Sequence, residues 1–348
     1  MTSTAVRVVG TLDGAIDELA TTVRAAKAVV PVGGRTHWEV GGPPPIGTEV
    51  RAPAGIVEYD PAELTVTVGA GTRVGDLDAV LAAAGQQCPL DPRDPDATVG
   101  GVLATGLSGL RRLRYGPVRN RLLEVQVVLG DGRRVKGGGR TVKNVSGYDV
   151  ARLMVGSFGS LGVIAQATLR CEPLPPAAAW YTVDATGNEV MRRGFRPAAV
   201  LVGPGSASVL LEGYPEDLAA ESARIGAAAA TGAPGLPTGA HQGRISVRPG
   251  RVDAVTRALT AVGLRALGEA GIGTVHVAAP TTEALATARD IAHNEGGWLL
   301  REVGGDDGFG IPLPNVALMT RIRDALDPEG KCNPGRLPLT PAPAGSPV

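Results

Sequence analysis

The stretch Val29-Val30-Pro31-Val32-Gly33-Gly34-Arg35-Thr36 decides how this chain is read. The apolar residues predict a short buried strand, and the paired glycines turn it. Without a Cβ, successive backbone N–H groups can converge on an anion, and a pyrophosphate is the natural occupant. The pattern is neither G-x-G-x-x-G nor G-x-x-x-x-G-K-[ST], so the common dinucleotide and P-loop fingerprints are both absent.

Two further clusters lie downstream. Pro89-Leu90-Asp91 precedes Ala97-Thr98-Val99-Gly100-Gly101, then Thr105-Gly106 and Ser108. Val142-Lys143-Asn144-Val145-Ser146-Gly147-Tyr148-Asp149 leads on to Phe158-Gly159-Ser160-Leu161-Gly162-Val163-Ile164. Three glycine-rich loops in one half of the chain suit a long ligand contacted from several sides.

Taken in order, these segments resemble the FAD-binding (PCMH-type) domain of the vanillyl-alcohol-oxidase and para-cresol-methylhydroxylase superfamily, over residues 5–175. Within that superfamily the chain is most similar to the smaller flavin-binding subunits of bacterial glycolate oxidases. Pro31 to Thr36 matches the family's pyrophosphate loop, Thr98-Val99-Gly100-Gly101 its second phosphate-side loop, and Arg114-Tyr115-Gly116 its R-Y-G step. Lys143 to Asp149 matches K-N-V-x-G-Y-D, and Gly159 to Ile164 matches G-S-x-G-x-I, which meets the adenine and ribose side. Asp327-Pro328, followed by Asn333-Pro334-Gly335-Arg336, resembles the family's D-P-x-x-x-x-N-P-G ending, which folds back to the flavin.

The resemblance implies FAD contacts at Val32, Gly33, Gly34, Arg35, Thr36, Pro89, Thr98, Val99, Gly100, Gly101, Thr105 and Ser108. It implies them also at Arg114, Tyr115, Lys143, Asn144, Gly147, Tyr148, Asp149, Gly159, Gly162, Val163, Ile164 and Asn333. Covalent members attach the flavin through a histidine after the paired glycines. Arg35 stands there instead, and a guanidinium is no such nucleophile, so the FAD is expected to be non-covalent. Arg35 is then read as a counter-charge for the pyrophosphate or the reduced flavin. His37, two residues on, is expected to point elsewhere.

Metal-dependent members that oxidise 2-hydroxy acids carry paired histidines. The four histidines here, His37, His241, His276 and His293, form no H-x-H or H-x-x-x-H pair, so no metal site is expected. His276 is the one substrate-facing candidate, and no general base is assigned. Cys88, Cys171 and Cys332 are odd in number and far apart, which argues against a disulfide framework or an iron–sulfur cluster. Redox chemistry must therefore use an organic cofactor or a metal on another subunit.

Composition agrees. Lys and Arg number 34 against 34 Asp and Glu, so net charge favours neither nucleic acid nor an anionic membrane. Among the arginines from Arg111 to Arg121 stands a single aromatic, Tyr115, not the interleaved series that nucleic-acid binding uses. No apolar run approaches the length of about 18 residues that a membrane span needs, and no signal pattern opens the chain, so a cytoplasmic protein is expected.

Hydrophobic periodicity predicts helices over 11–28 and 72–84, and strands over 49–57, 64–68, 122–129 and 161–169. The cluster Pro173-Leu174-Pro175-Pro176 marks a domain boundary. Beyond it, strands are expected at 199–202, 208–212, 245–248, 274–278 and 298–303. Helices are expected at 216–229, 252–262, 282–294 and 315–326. The expected architecture is α+β: a two-subdomain PCMH-type FAD module (1–175), an α+β cap (176–303), a C-terminal segment returning to the FAD module (304–338), and a tail (339–348). The resemblance implies an FAD-dependent oxidoreductase subunit of a glycolate (2-hydroxy acid) oxidase complex, with a larger flavin subunit and an iron–sulfur subunit as partners and a possible peripheral membrane link through them. Two alternatives stand beside it: a stand-alone alcohol or sugar-lactone oxidase, and a non-catalytic flavin-binding scaffold.

Overall fold

The computed structural model describes residues 10–43, 45–139, 149–305, 307–310, 313 and 315–339. In chain order the first half contains α1 (Asp13–Ala25), β1 (Val29–Pro31), β2 (Thr48–Val50), β3 (Ile56–Asp60), β4 (Thr65–Gly69), α2 (Val74–Ala83) and β5 (Gln86–Gln87). Then come α3 (Val99–Thr105), α4 (Arg112–Tyr115), β6 (Leu122–Val128), β7 (Arg134–Gly138), α5 (Val150–Met154), β8 (Val163–Arg170) and β9 (Glu172–Pro173). The second half opens with β10 (Ala177–Val183), α6 (Gly187–Arg193), β11 (Ala199–Val202), β12 (Ala207–Gly213), α7 (Pro215–Ile225) and β13 (Ala228–Ala229). It continues through β14 (His241–Ser246), α8 (Val252–Ala261), β15 (Arg265–Glu269), β16 (Thr274–Ala279), α9 (Thr282–Asn294), β17 (Trp298–Val303) and α10 (Val316–Leu326).

Helix α1 forms because Ile16, Leu19, Ala20 and Val23 make one apolar stripe, which packs on Val29, Val50, Val128 and Val163. Strands β1 and β2 pair in parallel, and the C-terminal segment joins them: Asn333 N–H donates to the Val29 carbonyl at 2.7 Å, and Val29 N–H to that of Lys331 at 2.8 Å. An antiparallel sheet ordered β3-β4-β8-β6-β7 covers the adjoining core of α2, α3 and α5.

A larger antiparallel sheet runs β13-β10-β12-β11-β15-β16-β14-β17. Helices α8 and α9 pack on one face through Ile245, Val275, Val277 and Leu299, and α6 and α7 through Val200, Val209 and Leu211. Side chains alternate along a strand, so the neighbours of those residues project from the other face. That face carries Arg244, His276 and Leu300 side by side, because Arg244 is paired with both others across the strands. The architecture is α+β.

Some predicted elements differ. The strand expected over 49–57 is two strands, because Pro53-Ala54-Gly55 leaves the sheet with Gly55 at φ 122°. The helix expected to run to 229 stops at Gly226, whose φ of 70° closes it in a left-handed cap. Strand β10 went unforeseen because Ala177-Ala178-Ala179 has no β-forming character; its pairing along the whole of β12 supplies the order. Helix α6, seen only in the structure, is fixed by a capping box between Thr186 and Glu189.

Candidate functional site

A cavity of about 900 Å³, mouth included, opens between the loop after β1, helix α3, the start of β8 and the C-terminal return. Val32, Gly33, Gly34, Arg35 and Thr36 line it, as do Thr98, Gly100, Gly101 and Thr105. Gly159, Gly162, Val163, Ile164 and Asn333 close its far side. The glycines serve close packing of loops. A Cβ on Gly33 would fall 2.1 Å from the Thr98 hydroxyl, and one on Gly34 would fall 2.2 Å from the Asp96 carbonyl oxygen.

The lining fits a dinucleotide with charged phosphates at its centre. Among the described residues, the backbone N–H groups of Gly33 through His37 have no protein acceptor. Asn333 lies buried, its side-chain amide nitrogen donating to the Phe158 carbonyl while its Oδ1 has no partner. Arg336 is also buried on this cavity. It donates to the carbonyls of Gly42 (2.7 Å) and Trp38 (2.6 Å) and meets no carboxylate among the described residues. Burial lowers its pKa, so this cation is short of counter-charge. Val50, Ala52, Ala70 and Ala104 supply apolar walls for rings. By contrast, the N–H groups of Val99 and Gly100 donate to Thr72 and Ala70, and that of Gly101 to Thr98 Oγ1, so this loop meets a ligand with side chains rather than amides.

Several expected contacts lie elsewhere. Pro89 and Val99 are buried away from the cavity, Val99 within the hydrophobic core. Arg114 and Tyr115 reach Glu212 of β12: Tyr115 Oη donates to Glu212 Oε2 at 2.6 Å, and Arg114 to the Glu212 carbonyl at 2.9 Å. Buried Glu212 also takes Arg111 at 3.1 Å, and Arg111 grips Asp91 through two nitrogens. The R-Y-G step thus clamps the large sheet to the first half of the chain, because a buried carboxylate must be paired. Asp149 caps α5 through the Arg152 N–H. Lys143, Asn144, Gly147 and Tyr148 lie outside the described residues. Arg35 pairs with Glu49 at 2.6 Å and stacks 4.5 Å over Trp38, so its charge is already matched within the protein.

The second correction concerns histidines. Arg35 sits at φ 58° and opens a turn, which the Trp38 N–H closes on the Arg35 carbonyl at 3.3 Å. His37 therefore lines the cavity instead of leaving it, and it lines a second pocket as well. That pocket also holds Asp91, Arg93, Ser108, Trp180, Gln242, Arg244 and His276. Ser108 thus faces this pocket, where its carbonyl accepts from Arg244 at 3.3 Å. His276 faces it as expected, with both ring nitrogens bonded: Nε2 lies 2.6 Å from Glu269 and Nδ1 2.6 Å from Arg93. Arginine only donates, so Nδ1 accepts and Nε2 carries the proton to Glu269. Burial lowers the pKa of His276 despite that carboxylate. With both nitrogens engaged, it positions Arg93. Arg93 also pairs with buried Glu302 at 2.9 Å. Arg93, Arg244 and Glu302 escaped the sequence because they are distant in the chain and obey no motif. Among the described residues no group of three or more His, Cys, Asp or Glu side chains is arranged to hold a metal ion.

A family model described as an FAD binding domain matches residues 13–138. Glycolate oxidase subunit GlcE of Escherichia coli (strain K12) is 32% identical over 302 residues, covering 83% of this chain and 86% of that protein. A D-lactate dehydrogenase of Archaeoglobus fulgidus is 43% identical over 117 residues, 34% of this chain and 26% of that one. Glycolate oxidase subunit GlcD of Bacillus subtilis is 35% identical over 141 residues, 39% of this chain and 30% of that one. Among solved structures, an alkyldihydroxyacetonephosphate synthase superposes with a TM-score of 0.67 at 15% identity, over 91% of this chain and 74% of that one, a likeness of fold. Identity that runs through both halves of the chain, together with the cavity, makes this protein a member of the FAD-binding oxidoreductase family that includes glycolate oxidase subunit GlcE.

Proposed function

We propose that this chain holds FAD non-covalently in the cavity between Gly33 and Asn333 and serves as the flavin-binding subunit of a complex that oxidises 2-hydroxy acids such as glycolate. The observation that carries the reading is the second pocket. It shares His37 with the cavity and is lined by Arg93 and Arg244. These pair with Glu302 at 2.9 Å and Glu269 at 3.9 Å and keep further N–H groups that a small carboxylate beside the flavin ring would take. Bound FAD supplies a two-electron acceptor for the substrate's C–H bond.

The chain's residues do the rest. Amides of residues 33–37 and the Arg336 guanidinium hold the phosphates and ring. The large sheet's uncovered face shields the substrate from water. Arg35 in the covalent histidine's place supports dissociable flavin. The similarity to glycolate oxidase subunits GlcE and GlcD supports a multi-subunit complex. In this reading a larger flavin subunit and an iron–sulfur subunit are the partners that receive the electrons. Among the described residues no helix is long and apolar enough to cross a membrane.

The test is an absorbance spectrum of the purified chain with FAD, before and after acid precipitation and anaerobic glycolate. Flavin released to the supernatant and bleached by glycolate is expected. A chain that takes up no FAD overturns the reading.

A further inference from the structure

We propose that His37 is the base that receives the substrate's hydroxyl proton, an inference that rests on the 2-hydroxy acid reading above. His37 is the one histidine that lines both the flavin cavity and the arginine pocket. A group that takes a proton while a C–H bond transfers its electrons must stand at that junction. Its Nδ1 lies 3.1 Å from Thr36 Oγ1. With the ring proton on Nδ1 and donated to that hydroxyl, Nε2 keeps a free lone pair, and among the described residues no protein group bonds it. His276, in the same pocket, has no such freedom, since Glu269 and Arg93 take both nitrogens.

The surroundings keep the ring neutral. Burial lowers the His37 pKa first; Glu302 on β17 and Asp94 raise it, and Arg93 and Arg244 lower it. The result is below the ordinary value of 6.5, so the imidazole is unprotonated at neutral pH and ready to accept. The same two arginines that would hold the carboxylate add to burial in keeping the base in its working form. In the step itself, the substrate's C–H electron pair leaves as hydride for the flavin and the O–H proton passes to His37 Nε2. The carbon–oxygen bond becomes a carbonyl, leaving a 2-oxo acid and an imidazolium. The loop is anchored for this: Gly41 N–H donates to the Arg301 carbonyl of β17 at 3.0 Å, and Gly304 N–H to Glu39 at 2.9 Å.

The test uses the full chain loaded with FAD, with H37Q beside it and oxalate as a non-oxidisable carboxylate probe. Oxalate should shift the His37 ring resonances in the wild type, and H37Q should keep its flavin and its oxalate affinity. Flavin reduction by glycolate should slow about 10²- to 10⁴-fold in H37Q. The wild-type rate should rise with pH to a plateau set by a group titrating below 6.5, and H37Q should lose that dependence. Added imidazole should restore part of the rate to H37A. If H37Q reduces its flavin as fast as the wild type, or if oxalate leaves the His37 resonances unmoved, His37 is not the base, while the oxidoreductase reading stands. If wild-type flavin is bleached by no 2-hydroxy acid, the functional reading falls, and the base with it.

Discussion

Gly33 stands so close to Thr98 that a Cβ on it would lie 2.1 Å from the threonine hydroxyl. The two glycine loops of the flavin cavity are therefore packed against each other, and Thr98 cannot retreat because its Oγ1 caps α3 through Gly101 N–H. Gly33→Ala should cost about 1–3 kcal/mol in stability through overpacking. The loop must also shift, so bound flavin per chain should fall, as the ratio of flavin to protein absorbance will show. Unchanged flavin content would mean the loop moves freely.

Arg336 is a buried cation facing the cavity, and among the described residues its partners are carbonyls alone. Hydrogen bonds involving charged groups contribute about 1.5–3 kcal/mol, so Arg336→Met should weaken FAD binding about 10- to 100-fold. Fluorescence titration of the flavin-free chain measures this, with Arg336→Lys expected to fall between.

Glu212, buried on β12, is held by Arg111, Arg114 and Tyr115. Glu212→Ala leaves Arg111 with Asp91 and the Gln87 side-chain carbonyl and exposes a gap between the two halves. Loss of one partner of a buried pair costs about 3–5 kcal/mol, and urea unfolding should show a loss of that order. The flavin spectrum should respond less than the unfolding midpoint, because this clamp lies away from the cavity.

His37 and His276 both have pKa values lowered by burial, below the unfolded value of 6.5. The unfolded chain then binds more protons than the folded one just below pH 6.5. Their contribution to stability is complete above 6.5 and is lost as the pH falls from there through the folded values. Thermal midpoints measured between pH 7.5 and 5.5 should decline, and His276→Gln should flatten the slope.

Cys88, Cys171 and Cys332 are all buried and free. Burial pushes the Cys171 thiol up to about 12 and raises the other two as well. Little thiolate exists at pH 8, so a disulfide reagent should titrate none of them natively and all three after denaturation. Rapid native labelling would show that the cores around them open.

The sequence by itself determined where local chemistry is self-sufficient. Strand 199–202, helix 282–294 and strand 298–303 follow from periodicity alone, because each carries its own apolar stripe and stop signal. The glycine loops were legible because close backbone approach admits no other residue. The alternation of Thr274-Val275-His276-Val277-Ala278 set His276 apart from the helix-covered face. Only the tertiary structure decided what the residues at that face do. His276 stood as the substrate-facing candidate, but Arg93, 183 residues away in the chain, and Glu269 on the neighbouring strand take its two nitrogens. His37 looked misdirected until the left-handed turn at Arg35 brought it to the junction. Arg114 and Tyr115 left the flavin for Glu212, a carboxylate nearly a hundred residues away in sequence. A strand or helix is specified by neighbours in the chain, whereas a buried charge takes its role from whichever group folding brings within hydrogen-bond reach.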